Sequence, residues 1–390
     1  MKKFLFTTIF IWGFQLSILP YNPNIKVGAD QIGQIIPLLK NKRVALVVNQ
    51  TSVCGSNQIH LVDTLLSLQV QVVKIFAPEH GFRGTADAGE KVLNSMDEKT
   101  NLPILSLYGK NKKPSSQTLA DVEVIIFDIQ DVGARFYTYI STLFYIMEAC
   151  SEQHKQLIIL DRPNPNDYID GPVLQESLKS FVGIVPIPLM HGLTVGELAQ
   201  MIVGQKWLSS KSSAIPFLHI VPVKGWKHGD PYLLPVKPSP NLPNDLSVKL
   251  YPSLCLFEGT PVSIGRGTRF PFQVIGYPQT GLGDFSFTPV SLPGFEKNPL
   301  QKDIKCFGTD LRNKKTERAF TLKYILDYYK KTALGEKFFS SPHFFDQLCG
   351  DSRVRQMIIE GKTERQIKTL WHNDLVKYKQ MRKSYLLYAE

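Results

Sequence analysis

Four short apolar runs, each rich in β-branched residues and each ending in polar groups, constrain this chain more than any other feature. "RVALVVNQ" ends at Asn49 and Gln50, and "VQVVKIFA" runs directly into "PEHGFRGTADAGE". "VEVIIFDIQDVGARFY" leads to Asp128, Asp131 and Arg135, and "QLIILDRPNP" ends in Asp161, Arg162 and Asn164. Short β-branched runs bounded by turn residues read as buried strands. Between them, "IHLVDTLLSL" and "ISTLFYIMEACSEQ" repeat their apolar residues at helical spacing. Strand, helix and strand at this rhythm predict an α/β fold built on a parallel, doubly wound sheet. Ligands of such sheets bind beyond the carboxyl ends of the strands, so the four polar clusters should converge on one edge. The loop after the first strand, "NQTSVCGSN", holds no G-x-G-x-x-G. A dinucleotide is therefore not expected, and no other cofactor is indicated.

The chain of 390 residues is 43% apolar, enough for two domains with a core each. The texture changes near residue 190, which predicts a first domain over 23–190 and a second, smaller α/β domain over 191–390. In the second half Thr194 and Glu197 have capping-box spacing, so a helix should open there. A proline-rich connection and short glycine-punctuated runs follow, and helical patterning returns from about residue 319, ending in "ERQIKTLWHNDLVKYKQMRKSYLLY". The net charge of +11 is dispersed, without a basic block interleaved with aromatics. That argues against nucleic acid and for an anionic substrate or cell-envelope surroundings. "MKK" followed by uncharged, mostly apolar residues has the layout of a secretory signal over residues 1–22, so export to the periplasm or cell envelope is expected. The alternative is an uncleaved segment attaching the chain to a membrane. Five cysteines, widely spread and odd in number, provide neither a disulfide framework nor a C-x-x-C metal pair.

"PEHGFRGTADAGE", "FDIQDVGARFYTYIST", "LDRPNP" with "GPVL", "IPLMHGLTVGELA", "SPNLP", "YPSLCLFEGT" and "GRGTRFPF" occur in series. Together they resemble the exo-β-N-acetylmuramidases, the NamZ-type glycoside hydrolases, over roughly residues 25 to 390. The resemblance implies a Rossmann-like domain joined to a second α/β domain, with the active site between them. It also implies release of non-reducing terminal N-acetylmuramic acid from peptidoglycan fragments, so that muramyl saccharides are the expected partners.

Glycoside hydrolysis needs a carboxyl group to protonate the leaving oxygen and a second group to stabilise or attack the anomeric carbon. Glu79, at a strand terminus where partial burial would raise its pKa, is the first choice for the acid. His80 could orient it or move a proton itself. Asp128, Asp131 and Asp161 compete for the second role, and Glu258 could face them across the cleft. The lactyl carboxylate of the substrate calls for a cation, and Arg83, Arg135, Arg162 and Arg266 all lie in the matched motifs. Of these, Arg135 and Arg266 are preferred. Asn49, Asn164, Asn241 and His191 complete the candidate binding groups. Against each stands a scaffolding role: Asp161 with Arg162 as an ion pair fixing a turn, the arginines paired with Asp131 or Glu258, Asp87 and Glu90 holding their loop. A metal-dependent envelope hydrolase using the same carboxylates and a non-catalytic peptidoglycan-binding module are the competing functions.

Overall fold

The computed structural model describes residues 24–83, 94–209, 215, 217–315 and 317–390. The expected signal over 1–22, Asp87 and Glu90 lie outside them. Seven strands form one sheet in the order Leu218–Val221, Gln156–Leu160, Val124–Asp128, Val44–Val48, Val72–Ala77, Pro103–Ser106 and Ser95–Met96. All neighbours are parallel except the short Ser95–Met96 strand. Val44–Val48 and Val124–Asp128 are buried at every position, as continuous apolar runs covered on both faces should be. The sheet starts at Val44–Val48, builds outward to Pro103–Ser106, then returns to Val124–Asp128 and builds the other way. The reversal falls between the two central strands, the place where doubly wound sheets open a crevice.

The first domain does not end near residue 190. Helix Val195–Gly204 packs on helix Tyr139–Glu152 and on strand Gln156–Leu160, and Leu218–Val221 then joins the sheet edge in parallel. A four-residue edge strand containing His219 lacks the continuous apolar pattern of the central strands, so the boundary moves past the proline-rich connection that follows it. The capping box is formed as expected: Glu197 N–H donates to Thr194 Oγ1 at 3.3 Å and Thr194 N–H to Glu197 Oε2 at 2.9 Å.

The second domain contains an antiparallel sheet in the order Val274–Tyr277, Cys306–Asp310, Phe285–Phe287. Helices Lys323–Thr332, Pro342–Cys349, Ser352–Ile359, Glu364–Lys368 and His372–Arg382 complete it. The C-terminal run is not one amphipathic helix; a 3-10 turn at Thr369–Trp371 interrupts it. On the last helix only Tyr378 and Arg382 are buried. Both anchor the helix to the first domain, Tyr378 through its hydroxyl to the His191 carbonyl and Arg382 through Nε to that of Gly192, each at 2.8 Å.

Candidate active site

Strand Val72–Ala77 stops at Pro78, and the chain turns with His80 and Gly81 at φ +70° and +76°. The Gly81 N–H closes this turn on the Pro78 carbonyl at 3.0 Å. Left-handed geometry at a histidine is uncommon and costs free energy that the surrounding structure must supply. Its effect is to leave Glu79 half-buried at the sheet edge. Thr138 precedes helix Tyr139–Glu152 but makes no capping bond with its side chain. Its hydroxyl is donated to Glu79 Oε2 instead, at 2.7 Å. Tyr108, just beyond strand Pro103–Ser106, hydrogen-bonds the same carboxylate.

Glu79 and His80 open onto a cavity of about 740 Å³ whose other wall belongs to the second domain. There helix Asp245–Leu254 leads into a 3-10 turn, Cys255–Gly259, that presents Glu258. Arg266, held in its loop between Gly265 and Gly267 at positive φ, donates from Nη2 to Glu258 Oε1 at 2.5 Å. Glu296 lies 3.8 Å from the other terminal nitrogen. Asn241 donates to the Phe295 carbonyl at 2.9 Å, while its own carbonyl oxygen is buried on the cavity wall without a partner among the described residues. Aromatic rings make up much of the remaining surface, among them Tyr137 and Tyr139, whose hydroxyls both donate to the Pro238 carbonyl. Burial raises the pKa of the Tyr108 phenol, and the carboxylates of Glu79 and then Glu258 raise it further. A glutamate from each domain thus acts on one phenol.

Other candidates lie away from the cavity. Asp128 and Arg162 form a buried bidentate pair at 2.6 and 2.9 Å at the end of Val124–Asp128, one of the two strands flanking the strand-order reversal. Arg162 pairs with Asp128, not with its neighbour Asp161. Asp161 accepts bonds from Thr194 Oγ1 at 2.6 Å, the Gly196 N–H at 2.8 Å and the Tyr388 hydroxyl at 2.5 Å. Burial pushes its pKa up to about 6 against those three donors. It braces the start of helix Val195–Gly204 and the end of the chain.

Arg135 is wholly buried. It donates to the carbonyls of Pro172 and Ile187 in the first domain and of Leu348 and Cys349 in the second, at 2.7 to 3.1 Å. The last two are unsatisfied carbonyls at the end of helix Pro342–Cys349, a position that favours a cation. Gly350, at φ +85°, closes that helix, and a Cβ there would meet Arg135 Nη2 at 2.3 Å. Arg135 is therefore a staple between domains and cannot also bind a substrate carboxylate. Arg83 lies outside the cavity, stacked on Phe82 and paired with Asp97 at 2.7 Å. Asn164, Asp131, His191 and Asn49 are buried behind the cavity wall, where Asn164 bonds the Leu193 carbonyl, Asp131 the Gly133 N–H, His191 the Leu193 N–H and Asn49 the Thr51 hydroxyl. Glu79, His80, Asn241, Glu258 and Arg266 thus line one cavity, and the other nine candidates do not.

The profile of the N-terminal domain of the exo-β-N-acetylmuramidase NamZ matches residues 44–246, and that of its C-terminal domain matches residues 249–388. The chain belongs to the NamZ family. It is 37% identical over 393 residues to the peptidoglycan β-N-acetylmuramidase NamZ of Bacillus subtilis, covering 94% of this chain and 92% of that protein. Two crystal structures of DUF1343 family proteins from Bacteroides fragilis superpose with TM-scores of 0.86 and 0.81, at 46% and 30% identity. Each alignment covers 94% of this chain and 99% of the other. The junction between the two NamZ profiles falls after Leu218–Val221, in agreement with the strand order rather than with a boundary at 190.

Tyr108, Thr138 and Glu296 of this NamZ chain were not singled out from sequence. Tyr108 obeys the same strand-end rule as Glu79, but Pro103 and a four-residue length concealed its strand. Thr138 sits inside a matched motif. Glu296, in the loop "GFEKN", carries no local signal at all.

Proposed function

We propose that this chain removes N-acetylmuramic acid from the non-reducing ends of peptidoglycan fragments, with Glu79 as general acid and Glu258 as the second carboxylate. The observation that carries the reading is a glutamate from each domain, Glu79 and Glu258, lining one aromatic-rich cavity between them. Glycosidic cleavage needs carboxyl groups on both sides of the scissile bond, and rings that pack against a sugar face hold it between them. Thr138 and Tyr108 fix the rotamer of Glu79, so its carboxyl group addresses the leaving oxygen in one orientation. Arg266 grips Glu258 by one oxygen through a charge-assisted bond and so holds it against the anomeric carbon, where positive charge develops. The buried carbonyl of Asn241 is available to a hydroxyl or amide N–H of the sugar. Export is part of the same reading, supported by the uncharged run following "MKK"; a full-length cytoplasmic protein, weighed by mass spectrometry from its host, would contradict it.

The test is turnover of a chromogenic N-acetylmuramic acid glycoside beside its N-acetylglucosamine counterpart. Rapid release from the first and little from the second is expected. Binding of the muramic glycoside without release would favour the non-catalytic module.

A further inference from the structure

Of the preferred arginines only Arg266 lines the cavity, and two carboxylates stand beside it. Arg135 is wholly buried away from the cavity, its terminal nitrogens donating to four carbonyls, and Arg266 on the cavity wall is paired with Glu258 through Nη2, with Glu296 3.8 Å from its other terminal nitrogen, which makes no hydrogen bond among the described residues. We propose that Lys112 binds the carboxylate of the muramic acid and sets the preference for it over neutral sugars; this rests on the muramidase reading above. Lys112 lines the same cavity, half-buried, and among the described residues it has no ion pair or hydrogen bond. Its neighbour Lys113, by contrast, is paired with Glu148 and Glu152. The Lys112 ammonium lies 4.5 Å from the centroid of the Phe181 ring, a cation–π contact that fixes the side chain without neutralising it.

The position also fits the substrate. Tyr108, which bonds Glu79, packs its ring 5.9 Å from that of Phe181, so Glu79, Tyr108, Phe181 and Lys112 follow one another along a single wall. The acid acts at C1 of the sugar and the lactyl ether leaves from C3 of the same ring. A sugar lying along this wall with its leaving oxygen at Glu79 directs the lactyl arm toward Lys112. Glu79, Glu258 and Glu296 line the cavity together with Arg266, which two of them flank, so Lys112 is the lining cation that has no carboxylate partner among the described residues.

The test compares free N-acetylmuramic acid with its lactyl methyl ester, which keeps the skeleton and loses the charge. By calorimetry the wild type should bind the acid about 10- to 100-fold more tightly, as expected for a charged hydrogen bond. Lys112→Met should abolish that ratio by weakening the acid alone, and Lys112→Arg should restore most of it. The kcat/KM values on the corresponding chromogenic glycosides should follow the same pattern. A ratio unchanged in Lys112→Met, whether both ligands weaken equally or neither does, would overturn the assignment. An intact wild-type ratio lost in Lys112→Met, in a protein that hydrolyses neither glycoside, would sink the muramidase reading and leave Lys112 as the carboxylate ligand.

Discussion

At the scale of single residues, the proposed chemistry rests on Glu79, Glu258, Arg266 and their immediate contacts. Glu79→Gln preserves the shape of the side chain and an acceptor for the Thr138 hydroxyl, so the variant should fold and bind substrate normally. It cannot deliver a proton, and kcat on an N-acetylmuramic acid glycoside with a poor leaving group should fall about 10²- to 10⁴-fold. Near-wild-type turnover would remove Glu79 from the mechanism. Glu79 was legible in the sequence because it follows a strand that could be recognised. The same rule pointed equally to Asp128 and Asp161, and failed there for a physical reason. It identifies the edge of a sheet but not which polar groups along it are sealed by partners elsewhere. Asp161 is closed off by Tyr388, 227 positions along the chain, and Arg135 by carbonyls more than 200 residues away.

Among elements, the connection after Leu218–Val221 and the end of the chain depend on one histidine. His228 is buried between Asp167, at 2.9 Å from Nδ1, and Glu197, at 2.9 Å from Nε2, and its N–H donates to the Ala389 carbonyl. Burial disfavours the charged ring, and Arg382 at 3.1 Å opposes it too, but the bonds to Asp167 and Glu197 prevail and raise its pKa from 6.5 to about 9. A histidine with a raised folded-state pKa adds stability that is fully present below pH 6.5 and is lost as pH rises through 9. The change across that window is about 3 kcal/mol at 1.36 kcal/mol per pKa unit. The melting temperature should therefore fall between pH 6.5 and 9.5, and His228→Gln should be less stable at pH 6 with a flatter profile. A profile equally steep in the variant would assign the pH dependence elsewhere. Periodicity revealed the helix beginning after Thr194, but nothing in the spacing of Asp167, Glu197 and His228 showed that they meet.

For the whole molecule, the cavity exists only because two domains are held in register, by Arg135 beneath it and by Tyr378, Arg382 and Tyr388 at the far end of the chain. The parallel sheet and its functional edge could be read from four apolar runs, since buried central strands must be continuously apolar. The domain boundary could not, because an edge strand partly open to solvent has no such requirement. The second wall of the cavity was visible mainly through family motifs, as its short strands and loops have little periodicity. Exo-acting cleavage requires this cavity to accept a single terminal muramic residue, and digestion of glycan chains with defined ends measures that directly. Chains beginning with N-acetylmuramic acid should release it as the sole early product, while chains beginning with N-acetylglucosamine should remain intact. Internal cleavage, or release of N-acetylglucosamine at a comparable rate, would contradict the account.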